Sequence, residues 1–192
     1  MKKVLLFILI FNIFLVSCSK DNSSKIMKKL EKTLDNYIGY ETEAELQITM
    51  DEKESIYLLK EKYKYNGETK VDILEPKESK GITIEYKEDK IIINNASLKQ
   101  SISLKDIKGL NKGMLFGEVF QEKDFIKSIK EEKIENKSYY IFKFIPKEKN
   151  KYNKEKIIYL DKKDFKPYKM ITMDKEDNPR VIIKYKNFKY IK

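Results

Sequence analysis

A mainly β (α+β) fold is predicted for residues 26–192: a curved antiparallel half-barrel of about 11 strands, with an N-terminal helix and central helices covering its concave face. Three observations predict it. From Tyr40 onward, apolar and charged residues alternate with a period of two through one segment after another. Turn signals interrupt these segments at short intervals, so strands adjacent in sequence pair antiparallel. Helical spacing occurs at the start of the domain and in a glycine-rich middle stretch, and a sheet with one apolar face must curl and be covered.

Residues 1–17 carry Lys2-Lys3 and then an apolar run from Val4 to Val16, the pattern of a secretory signal. The run is too short to span a hydrocarbon core of roughly 30 Å. It ends Leu15-Val16-Ser17-Cys18, which resembles a bacterial lipobox. That resemblance implies a diacylglyceryl thioether on Cys18, the single cysteine of the chain. Residues 18–25 then form a polar, lipid-anchored tether. Loss of Lys2 and Lys3 takes the formal charge from +10 to +8, a surplus that favours an anionic bilayer or wall polymer.

Ser23-Ser24 are read as the cap of a helix reaching about Asn36, with Ile26, Met27, Leu30 and Leu34 on one face and Gly39 as its stop. Tyr40, Thr42, Ala44, Leu46, Ile48 and Met50 share one face of the first strand, and Asp51-Glu52-Lys53 turns it. Tyr57, Leu59, Tyr63 and Tyr65 mark the second strand, and Asn66-Gly67 is a hairpin signal. Further strands are read at Val71–Ile73, Ile82–Tyr86, Ile91–Ile93 and through Leu98, Ile102 and Leu104. Gly109, Gly113 and Gly117 break the pattern. One or two short helices are expected from about Leu115 to Lys130, through Phe116, Val119, Phe120, Phe125, Ile126 and Ile129. Strands resume at 131–135, 139–145, 156–160, 168–173 and 181–188.

The composition excludes much chemistry. Histidine is absent and there is one cysteine, so no His-based triad, Cys-His pair or internal disulfide can form. Oxygen ligands alone remain for a metal, without EF-hand spacing, and no cofactor is expected. A phosphate-binding loop would need a GK[ST] ending that Gly117 does not start. Acid pairs such as Glu131/Glu132 and Asp174/Asp177 sit among lysines on outward-facing positions, as on a solvated surface, so no catalytic residue is assigned. The lysines are spread along the chain, which argues against nucleic acid as a partner. Phe116, Val119, Phe120 and Phe125 are candidates for lining or lidding a hydrophobic cavity, and equally for plugging a filled core. A free sheet edge would allow a partner to add a strand, or a homodimer to form by strand exchange.

Tyr159-Leu160-Asp161-Lys162-Lys163-Asp164-Phe165-Lys166-Pro167-Tyr168 resembles the strand–"D-x-x-x-x-x-P"–strand hairpin of the LolA/LolB superfamily, which includes the regulator RseB. The closing strand with Asn187-Phe188 and the segment Val71–Lys77 with its Pro76-Lys77 are similar to the same family. Together with the lipobox and the lysine-rich composition, the layout is most similar to the germination lipoproteins of the GerS group. What that resemblance implies is a membrane-tethered, non-catalytic protein. It would bind and activate a cell-wall (spore cortex) N-acetylmuramoyl-L-alanine amidase during spore formation or germination. The alternatives are a carrier for a lipid or lipoprotein and an RseB-like envelope sensor.

Overall fold

The computed structural model describes residues 22–65, 69–87, 90–105, 115–120, 126–146 and 150–192. Cys18, the signal, the first half of the tether, the Asn66-Gly67 turn, Gly109, Gly113 and Phe125 lie outside the described residues.

Helix α1 (Ser23–Leu34) buries Ile26 and Leu30. Met27 and Leu34 pack more shallowly against the same core. Its first residue is Ser23, so the capping position falls on Asn22, whose side chain makes no capping bond. The Asn22 carbonyl accepts from the Ile26 amide at 2.9 Å and closes the first turn. The helix stops at Leu34, short of the expected end, and Gly39 opens the first strand instead.

Eleven strands follow among the described residues: β1 (Gly39–Met50), β2 (Lys53–Lys64), β3 (Thr69–Glu75), β4 (Ile82–Tyr86), β5 (Lys90–Asn95), β6 (Gln100–Lys105), β7 (Ile126–Ile134), β8 (Lys137–Phe144), β9 (Glu155–Asp161), β10 (Pro167–Met173) and β11 (Pro179–Ile191). They form one antiparallel sheet in the order β6-β5-β4-β3-β2-β1-β11-β10-β9-β8-β7. The sheet is open, with β6 and β7 at its two ends, and the half-barrel expectation holds. Tight turns set the register of the long hairpins. Asp51-Glu52 and Glu135-Asn136 all have positive φ (46°, 64°, 46° and 69°), the twist that a two-residue hairpin needs.

The chain runs outward from β1 to β6, crosses, and returns inward from β7 to β11. β1 and β11 then pair and join the two meanders, with Tyr40 opposite Tyr190, Ala44 opposite Tyr185 and Leu46 opposite Ile183. A bulge between Glu41 and Glu43 bends this seam, and the Thr42 hydroxyl donates to the Lys186 carbonyl across it at 2.9 Å.

The middle of the chain departs from expectation. Among the described residues of this stretch the helix is α2 (Phe116–Val119), and Ile126 and Ile129 belong to β7. Their spacing of three mimics a helical turn. A bulge between Ile126 and Ser128 supplies the extra residue, so Ile126 pairs with Phe144, Ile129 pairs with Phe142, and both pack on the core. Leu98 also leaves its expected strand; it lies in the β5–β6 turn and is 63% exposed.

Candidate functional site

The inward faces of β1, β2, β8 and β11 meet α2 in an aromatic cluster. Phe116 is fully buried and packs edge-on to Tyr40, Phe120, Phe188 and Tyr185, with ring centroids 5.3–6.2 Å apart. Phe120 sits edge-on to Phe142 and Phe144 at 5.7 and 5.4 Å. Val119 is likewise buried. Phe116, Val119 and Phe120 are therefore brought together as a plug on the β8–β11 half of the sheet.

Two polar links hold this plug to the strands. The Gly117 amide donates to the Tyr40 hydroxyl at 3.2 Å, and the Tyr63 hydroxyl donates to the Glu118 carboxylate at 2.9 Å. The backbone approaches so closely here that a Cβ on Gly117 would lie 2.2 Å from the Tyr63 ring. Glycine is required by space at this position.

The Tyr40 hydroxyl in turn donates a short hydrogen bond to Glu61 Oε1. Glu61 is the residue that sequence reasoning missed. Its place between Leu59 and Tyr63 on a period-two strand puts it on the inward face, where it is 5% exposed. The signal was present: a lone acid in register with Tyr57, Leu59, Tyr63 and Tyr65. Burial raises its carboxyl pKa to about 7, against the partial offset of the Tyr40 hydrogen bond. Tyr40 and Tyr185, both deeply buried, are pushed well above the usual tyrosine range, first by burial and then by the nearby Glu61 charge. The Tyr185 hydroxyl has no hydrogen-bond partner among the described residues.

Beside Glu61 opens a cavity of about 350 Å³. Its walls are the inward faces of β1–β4, chiefly Ala44, Leu46, Leu59, Val71, Ile84 and Tyr86, with Leu115 and Ile183 at the plug side. Among the described residues Glu61 is the one charged group that lines it, and no second carboxylate stands beside it for glycosidic chemistry. Among the described residues no group of three or more His, Cys, Asp or Glu could hold a metal ion.

Other acids are engaged in structure. Glu131 pairs with Lys162 at 2.5 Å, and Asp177 pairs with Lys154 at 2.7 Å. Asp174 is 2% exposed and organises the β10–β11 turn. It accepts from the Glu176 and Asn178 amides at 2.8 Å and from Arg180 Nε at 2.6 Å. Despite burial, which acts the other way, these donors together hold its pKa down to about 2. On the outer surface Glu45 joins Lys184 and Lys186 at 2.9 and 3.1 Å, a solvated charge ladder across β1 and β11.

The described residues form an open antiparallel half-barrel with a helical plug and an apolar cavity. The chain belongs to the YdcC-like sporulation protein family, whose model matches residues 1–192. Among solved structures it is similar to a chain of the CwlD amidase from Clostridioides difficile in complex with the GerS lipoprotein, at 26% identity over 87% of this chain and 95% of that one, with a TM-score of 0.54. It is also similar to an uncharacterized conserved protein from Thermus thermophilus, at 11% identity, 88% and 87% coverage and a TM-score of 0.58. A LolA superfamily protein from Nitrosomonas europaea aligns at 16% identity over 88% and 93%, with a TM-score of 0.46. No curated protein matches the chain by sequence. The resemblance drawn from the sequence to the GerS group stands.

Proposed function

We propose that this protein is a membrane-tethered, non-catalytic lipoprotein that binds and activates a cell-wall N-acetylmuramoyl-L-alanine amidase during spore formation or germination. The observation that carries this reading is the likeness to a chain of the CwlD–GerS complex, which spans nearly the whole of both chains at 26% identity. Membership of a sporulation family supports the setting. The tether rests on residues 1–17 as a signal and on Cys18 as the acylated residue. Two or three acyl chains, at about 0.8 kcal/mol per buried methylene, would hold the domain at the membrane surface.

Purified protein mixed with the candidate amidase should co-elute with it and raise its activity on peptidoglycan. No complex and unchanged activity would end the proposal. Cys18→Ala should move the protein from the membrane fraction to the soluble fraction with its circular dichroism unchanged. Continued sedimentation of that variant with membranes would remove the lipid anchor from the proposal.

The cavity beside Glu61 favours a second reading, a carrier or sensor of an apolar ligand. Native mass spectrometry of the protein purified from its membrane should then reveal a co-purifying small molecule.

A further inference from the structure

We propose that the cavity between β1–β4 and Leu115 binds an apolar molecule bearing an ammonium head, with the apolar body against the strands and the head against the Glu61 carboxylate. This deepens the apolar-ligand reading and is independent of amidase binding.

The volume, about 350 Å³, falls at the lower end of the range for small-molecule sites, roughly 300–1,000 Å³. A slim single-chain ligand fits such a space. The wall is aliphatic and aromatic, and Glu61 is its one charged group. A carboxylate buried to this degree normally has a cation beside it, because an unpaired buried charge is costly. Among the described residues no lysine or arginine lines the cavity, although the chain carries 41 such side chains. An ammonium head supplies the missing charge and a charge-assisted hydrogen bond. Tyr57 and Tyr86 also line the cavity, and tyrosine rings attract ammonium groups. A carboxylate head would meet like charge above neutrality, and an alcohol would leave Glu61 without a counter-ion.

The described tyrosines around Glu61 do not compete with it for a proton near neutrality. Tyr40 from β1, Tyr86 from β4 and Tyr185 from β11 all have raised pKa values and stay neutral there. From α2, the Glu118 carboxylate is engaged by Tyr63. Ammonium binding should therefore strengthen as pH rises through about 7, where Glu61 gives up its proton.

The test is isothermal titration calorimetry of octylamine, 1-octanol and octanoate into the full chain, with Glu61→Gln titrated under identical conditions. At pH 8, octylammonium should bind about tenfold or more tighter than octanol, and octanoate weakest. At pH 5.5 the octylammonium affinity should fall by about tenfold or more, as the carboxyl is protonated. Glu61→Gln should erase the amine preference and keep octanol binding. Ile84→Phe, on the half-buried β4, should weaken all three. Equal affinities for the three compounds, an amine preference that survives Glu61→Gln, or no octylamine binding to the wild type would each overturn the proposal. Any of these outcomes would leave the amidase measurement untouched.

Discussion

Replacing Glu61 by glutamine should stabilise the fold, and by an amount that depends on pH. The folded carboxyl titrates at about 7 and the free glutamate at 4.5. A raised acid binds a proton in the folded state that the unfolded chain has already released. The Glu61 contribution is therefore fully present below about 4.5, declines as pH rises through the window to about 7, and is gone above it. The displacement is about 2.5 pH units, and at about 1.4 kcal/mol per unit this is a loss of roughly 3 kcal/mol. Glutamine keeps the shape and a carbonyl that accepts from Tyr40, and it carries no charge at any pH. Urea denaturation of wild type and Glu61→Gln across pH 4–9 isolates the effect, because every other titrating group is common to both. The two curves should coincide near pH 4.5 and separate progressively, with the variant ahead by roughly 3 kcal/mol at pH 8. A difference that is flat with pH, or a variant less stable at pH 8, would refute the assignment of a lone, desolvated carboxylate to this position.

The plug and the β10–β11 turn give two further tests. Gly117→Ala drives a methyl to 2.2 Å from the Tyr63 ring, which is 1% exposed and cannot swing clear; a loss of about 1–3 kcal/mol is expected in thermal or chemical denaturation, and an unchanged midpoint would mean that α2 does not seat as described. Asp174, whose donors hold its pKa at about 2 against 3.8 when free, stabilises the fold above about pH 4 and loses that contribution as pH falls toward 2. Arg180→Leu removes one of its donors, so the acid-induced loss monitored by circular dichroism should begin at higher pH in the variant than in the wild type.

Much of this architecture was legible because a half-buried strand states its own face. Tyr40 through Ile48 alternate without interruption, and all the even positions point into the core. The turn at Asp51-Glu52 could be placed from the charge cluster between such runs, whereas Glu135, expected at the end of a strand, opens the next turn. The bulge in β7 was not legible: nothing in Ile126-Lys127-Ser128-Ile129 distinguishes a strand with one extra residue from a turn of helix, and the pairing with Phe142 and Phe144 decides it. The candidate plug residues Phe116, Val119 and Phe120 do converge, since helical spacing and an all-apolar triplet admit few exposed arrangements. Glu61 was overlooked for the opposite reason. A charged residue in a lysine- and glutamate-rich strand reads as solvent-facing, and only its even spacing from Tyr57 and Tyr63 reveals that it points inward.

The topology accounts for why plug and cavity lie side by side. The first meander ends at one border of the sheet and the second begins at the other, and α2, which lies between them in the chain, packs on the inward side. Phe116 and Phe120 settle on β8 and β11 against Phe142, Phe144, Tyr185 and Phe188. Large rings on both partners fill that half. The opposite half offers Ala44, Val71 and Ile84, which are smaller and leave the space unfilled. Glu61 stands on the boundary, tied to the plug through Tyr40 and the Gly117 amide and facing the open side with the rest of its carboxyl. A ligand bound as proposed at Glu61 would act on the same hydrogen-bonded chain that seats α2. Were a partner to break the Tyr40 link to α2, reciprocity would require it to alter the affinity of the cavity by the same factor by which the ligand alters the partner's.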